Sequence, residues 1–283
     1  MMRRIGWTVV ILLLVASCAP VKTVKLPPPF KSTPDEEKNV DRLLARWEQW
    51  NAGVKTFDCR FKRWVYDAVF GRADQPKYVD LGTIKYAAPD HGLYRIDTTE
   101  KDGNQSPIDD ARAEHWAFDG KSIFECNHVK RQIIERKLPP DFQGTNLVDG
   151  PLGFAFPAGL FSSVFGGLAR PYPFDAKAKP LKEHYYLRET TPPDARHDEI
   201  WLEAYPRSSG LLCAFQKLQL IFRASDMSPV AIKIVQLNGK DSVVYQFFNI
   251  AVNASSTPPG DDPFHPALPH GWQKIAEEPP VAR

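Results

Sequence analysis

The chain of 283 residues is 43% hydrophobic, 12% aromatic and 25% charged, which suits one large globular domain or two small ones and excludes wholesale disorder. It carries 36 Lys and Arg against 34 Asp and Glu, and two of the basic residues, Arg3 and Arg4, precede an apolar N-terminal run, so the chain without that leader is electrically balanced. Such a balance argues against a nucleic-acid binder, which needs surplus Lys and Arg facing phosphates, and against a polybasic membrane patch.

Arg3 and Arg4 are followed by Ile5 to Ala16, an apolar stretch of 12 residues that is too short to span a hydrocarbon core and reads as a signal peptide over residues 1–17. The stretch ends in Val15-Ala16-Ser17-Cys18, which resembles the bacterial lipobox, where the Cys is lipidated and becomes the new N-terminus. The resemblance implies an exported, periplasmic protein, held at a membrane by lipidated Cys18. An ordinary signal peptide with an incidental Cys18 is the alternative. Residues 18–32 carry Pro27-Pro28-Pro29 with Lys22, Lys25 and Lys31, the composition of an extended tether.

Thr33-Pro34-Asp35-Glu36 then supplies an N-cap, a Pro for the first helical position and two acids that oppose the positive end of the helix dipole. Val40, Leu43, Leu44, Trp47 and Trp50 follow at spacings of three and four, predicting a helix that docks through one apolar stripe. From Phe57 the period changes to two. Phe57, Cys59, Phe61 and Val65 alternate with polar residues, and Trp64 and Tyr66 make both faces aromatic. Further strands are predicted at 78–86, 92–97, 115–118, 122–127, 132–138, 184–189, 199–205, 212–222, 230–237 and 242–252, about eleven in all. Asp119-Gly120 and Asn238-Gly239 lie between strand runs and predict type I′ hairpin turns, hence antiparallel neighbours. Cys59, Cys126 and Cys213 allow at most one disulfide, show no zinc spacing, and fit buried apolar positions.

Residues 148–168 interrupt the strands with Leu152, Phe154, Phe156, Leu160, Phe161, Val164 and Phe165 and no charge after Asp149. A short helix beginning near Pro157 is predicted to be buried on most of its circumference, either as a plain core helix or as a removable plug in an apolar cavity. Trp64, Phe118, Leu218, Leu220, Phe222 and Phe247 have the same double reading, as a dry core or as the lining of a cavity for an acyl chain.

Several segments resemble the LolA-like family of periplasmic lipoprotein carriers and their LolB and RseB-type relatives. They are Phe57-Asp58-Cys59-Arg60-Phe61, Gly82 to Tyr86 with Pro89 and Leu93-Tyr94-Arg95-Ile96, the hairpin Phe118-Asp119-Gly120-Lys121-Ser122-Ile123-Phe124, and Tyr245 to Asn253 followed by Phe264 and Pro269-His270-Gly271-Trp272. The resemblance covers about residues 34–275. Ala87-Ala88 stand where carriers of the LolA type keep an Arg ahead of the Pro.

The resemblance implies a mainly β (α+β) fold, an incomplete antiparallel β-barrel with an N-terminal helix and an apolar helical lid, over residues 33–275, with a flexible tail at 276–283. It implies lipid or lipoprotein acyl chains as ligands, bound by Trp64, Phe118, Phe154, Phe156, Leu160, Phe161, Val164, Phe165, Leu218, Leu220, Phe222 and Phe247. An envelope protein partner bound by the same barrel, as in a sensor, is the alternative.

An enzyme is not expected. The seven His residues are scattered without H-E-x-x-H spacing, and Glu114-His115, adjacent on a strand, point to opposite faces. No nucleophile elbow or phosphate loop appears, so no catalytic residue, cofactor or metal ligand is assigned.

Overall fold

The structure, a computed structural model, describes residues 24–72, 74–101, 103–138, 140, 143, 181–208, 215–254 and 262–277. The helix α1 spans Pro34–Gly53. Thr33 caps it reciprocally: its Oγ1 accepts from the Glu36 amide at 3.3 Å while the Glu36 carboxylate accepts from the Thr33 amide at 2.7 Å. The stripe Val40, Leu44 and Trp47 is buried, as the spacing predicts.

Strands follow in order: β1 (Thr56–Tyr66), β2 (Tyr78–Ala87), β3 (His91–Lys101), β4 (Asn104–Pro107), β5 (His115–Asp119), β6 (Ser122–Asn127) and β7 (Gln132–Lys137). After the one-turn helix α2 (Leu181–His184) come β8 (Tyr185–Glu189), β9 (Glu199–Pro206), β10 (Lys217–Arg223), β11 (Pro229–Val235), β12 (Ser242–Val252) and β13 (Gln273–Glu277). They form one open sheet of 13 strands in the order β13-β7-β6-β5-β3-β2-β1-β12-β11-β10-β9-β8, with β4 paired to β3. The fold is mainly β, an incomplete barrel with an N-terminal helix. The eleven predicted strands are present with shifted ends, and two more, β4 and β13, join them.

Three details depart from expectation. The strand β13 lies parallel to β7, so Ala276 and Glu277 are paired instead of belonging to a free tail. The two hairpins form, but only Gly120 (φ 81°) and Gly239 (φ 69°) take the left-handed conformation. Asp119 and Asn238 instead accept hydrogen bonds through their side chains from the amides two and three residues on, an Asx turn that competes with the type I′ geometry. The third is the Pro-rich segment: Leu26 donates to the Arg207 carbonyl at 2.7 Å, Tyr186 donates to the Leu26 carbonyl, and the Phe30 ring packs edge-on against Tyr205. Residues 25–30 therefore lie along β8 and β9.

Alternation divides the sheet into two faces. The inner face carries Phe57, Cys59 and Phe61 of β1 beside Ile84 and Tyr86 of β2, and α1 packs on it, Trp47 against Phe222 at 5.2 Å and Trp50 against Phe57 at 6.3 Å between ring centres. The outer face over β1–β3 is an ionic ladder in which Lys85 pairs with Asp58, Arg60 with Asp97 at 3.0 Å and Lys62 with Glu100 at 2.6 Å. Cys59 and Cys126 are both buried and free; burial, with Glu125 adding, pushes the Cys126 thiol up to about 12. They belong to different clusters on opposite faces of the sheet.

On the outer face of β3, β5, β6 and β7, Leu93, Ala117, Phe124, Cys126 and Ile133 form a second buried cluster, covered by Phe264 and Trp272 of the C-terminal segment. Four histidines edge this contact: His91 against Phe264, His265 against Phe124, and His128 between His115 and Trp272. Burial pushes His115 down to about 4, and the nearby Arg95 and His128 act in the same direction against Asp97. The unfolded imidazole titrates near 6.5, so the folded state binds fewer protons between those values, and stability present above pH 6.5 is lost as the pH falls through 4. The loss from this one residue is expected to reach about 3 kcal/mol. Urea midpoints of the wild type and of His115→Gln, measured from pH 7 to pH 4, check this; parallel curves would refute it.

Candidate functional site

The inner face is the candidate site. Its central apolar cluster runs from Phe118 and Ile123 on β5 and β6, through Tyr94, Ile84, Phe61, Tyr245 and Phe247, to Leu220, Phe222 and Leu202 on β10 and β9. Phe61 stacks flat on Tyr94 at 5.2 Å and leans on Tyr245 at 5.6 Å. The ring of Phe61 also lies over Gly82, where an added Cβ would stand 2.2 Å from its Cζ, so a residue without a side chain is required there.

Of the expected lining residues, Phe118, Leu220, Phe222 and Phe247 are brought together on this face, and Leu218 sits beside them in a smaller cluster with Ala204 and Phe215. Trp64 is not with them. It shares the opposite face of β1 with Lys62, whose Nζ is 5.5 Å from its ring. The strict alternation of Phe57, Cys59, Phe61 and Arg63 puts those four inside, and one-residue parity then puts Trp64 out. Phe154, Phe156, Leu160, Phe161, Val164, Phe165 and the attachment candidate Cys18 lie outside the described residues. Sequence reasoning missed Phe61, Ile84, Tyr94 and Tyr245 as members of the site, although each is in register with its neighbours by strand parity.

It also missed a buried polar group at one end of the face. Asp80 is fully buried and accepts from Arg63 at 3.2 and 2.8 Å through one oxygen and from Arg112 at 2.5 Å through the other. Arg63 further donates to Glu114 at 2.7 Å and to the Tyr94 hydroxyl at 3.3 Å. Arg112 is laid over the Tyr78 ring at 3.7 Å. Two guanidinium groups and two carboxylates cancel, so the cluster asks for no charged ligand. Burial holds the Tyr94 and Tyr245 hydroxyls above their ordinary range, which keeps them protonated and unsuited to act as bases. Among the described residues no group of His, Cys, Asp and Glu could hold a metal ion. What the arrangement can do chemically is bind apolar matter.

A cavity of about 370 Å³ opens beside the inner face at the far end of β12, lined by Trp50, Arg223, Asp226, Ser228, residues 247–250 and Val252.

No family model matches the chain, and no curated protein does. Among solved structures it is similar to an uncharacterized conserved protein from Thermus thermophilus, at 11% identity and a TM-score of 0.44 over 84% of this chain and 99% of that one. It is similar to a LolA superfamily protein from Nitrosomonas europaea, at 9% identity and 0.33 over 76% and 94%. A third is MucB in the Pseudomonas aeruginosa MucA/MucB complex, at 12% identity and 0.38 over 77% and 59%. These are likenesses of fold alone.

Proposed function

We propose that the inner face binds the acyl chain of a lipid or lipoprotein, in an exported protein held at a membrane through lipidated Cys18. The observation that carries this is the continuous apolar cluster from β6 to β9, which α1 meets through Trp47 at Phe222 and Trp50 at Phe57. Burial of one CH₂ contributes about 0.8 kcal/mol, so a long acyl chain needs no marked polar motif. The uncharged run with Phe154, Phe156, Leu160, Phe161, Val164 and Phe165 belongs to the covalent link between β7 and β8, which have nine strands between them in the sheet. In this reading a guest chain takes over the contacts of that run, and the small net change in burial keeps exchange reversible. No catalytic residue and no cofactor is assigned.

The test is a titration of the mature domain, lacking Cys18, with a fluorescent fatty acid, together with solvent extraction of copurified lipid. Saturable uptake is expected, and Phe161→Asp should abolish it with an unchanged far-UV dichroism spectrum. Neither uptake nor copurified lipid would overturn the proposal. A second reading, binding of a protein segment, is favoured by a feature of β12.

A further inference from the structure

β12 is longer than the strand beside it. Its pairing with β1 runs the whole length, from Tyr66 with Ser242 to Phe57 with Val252, but its pairing with β11 stops at Ala231 with Gln246. Val230 and Pro229 continue β11 opposite Phe247 and Phe248, so among the described residues it is the four from Asn249 to Val252 that have a neighbour strand on one side only. On the other side β11 has ended: it starts at Pro229, which has no N–H to give, and the chain there is folded into the β10–β11 turn by hydrogen bonds from Arg223 to Ser228 and from Met227 to Arg223. No described backbone bond of a turn or loop reaches these four residues. The cavity of about 370 Å³ lies along this edge and is lined by three of the four, Asn249, Ile250 and Val252, with Phe247 and Phe248 beside them.

We propose that this edge receives an extended segment of a partner protein, which adds a strand to β12 in place of the missing end of β11. An edge of N–H and C=O groups is complementary to another extended backbone. A hydrocarbon chain lying there would bury the same groups without partners, at a cost of about 1–3 kcal/mol each, so the acyl ligand proposed for the inner face does not fit this place.

The edge also carries no charge of its own. β12 has no charged residue from end to end, and Phe248 and Val252 are 36% and 37% exposed. The outermost strand β13, by contrast, carries Lys274 and Glu277. Arg223 and Asp226, the charged residues of the lining, pair with each other at 3.2 Å, so the incoming segment is expected to be uncharged, with an apolar side chain placed toward Trp50 and Phe247. A left-handed Asn249 (φ 52°) and the register shift opposite Cys59 form a bulge toward β1.

The test uses the full mature chain and arrayed eight-residue peptides that alternate apolar and polar residues, followed by Trp fluorescence and amide exchange with the best binder. Saturable binding, slowed exchange at Asn249 to Val252, and at least tenfold weaker binding of the same peptide N-methylated at alternate backbone nitrogens are expected. Phe248→Lys, at a surface position, should weaken binding tenfold with dichroism unchanged. Equal binding of the N-methylated peptide, no peptide binder at all, protection of these amides in the free chain, or a dimer formed through this edge would each overturn the proposal. Because the readout is exchange at β12, the result is independent of whether the inner face takes up acyl chains.

Discussion

Replacing Asp80 with Asn is expected to destabilise the fold by about 3–5 kcal/mol, the range for removing one partner of a buried ion pair. Both carboxylate oxygens are used, one by Arg63 and one by Arg112, and Arg63 is itself 7% exposed, so the neutral amide leaves two guanidinium groups sharing a partner without charge, with Glu114 bonded to Arg63 alone among the described residues. The urea midpoint should fall with an unchanged slope, because the surface exposed on unfolding stays the same. The double variant Arg63→Met with Asp80→Leu should recover a large part of the loss, since an apolar pair of similar volume needs no compensation for lost hydration. A single-variant cost below about 1 kcal/mol would show that water reaches the cluster.

The second large effect is expected at Gly82. An Ala there places Cβ 2.2 Å from the Phe61 ring and 2.3 Å from the Arg95 carbonyl oxygen, and the second contact is with backbone held in the β2–β3 ladder. Overpacking of this kind costs about 3 kcal/mol, equivalent to a fall of about 10 °C in Tm for a domain of this size. Phe61→Leu in the Gly82→Ala background should give back only part of it, because it relieves the ring contact and leaves the carbonyl contact in place. Full recovery would show that β3 shifts freely.

Much of the fold was legible because the signals are local. Alternation marked the strands, Thr33-Pro34 marked the start of α1, and Asp119-Gly120 and Asn238-Gly239 marked hairpins even though the side-chain caps changed the turn type. The inner face was legible only in part. Parity puts Asp80 with Gly82, Ile84 and Tyr86, but its partner Arg63 comes from another strand, and the register that joins them is set by the whole β1–β2 ladder. Trp64 was misassigned because an aromatic residue on a wet face looks, without register, like one on a dry face. β13 could not be read from Gln273–Glu277 at all: its residues are exposed, and its parallel place beside β7 goes with the packing of Phe264 and Trp272, residues outside the strand, on the second cluster. The free end of β12 is a difference between two pairing lengths, visible only once three strands are aligned.

Under the proposed lipidation of Cys18, the docking of Leu26 and Phe30 on β8 and β9 would change how the body hangs from a bilayer. With the whole of residues 18–32 loose, the leash would reach about 50 Å at 3.3–3.6 Å per residue. With the chain pinned from Lys25 onward, by its bridge to Ser208, a lipidated Cys18 would leave a standoff of about 25 Å. The β8–β9 side would then be the side turned toward the headgroups.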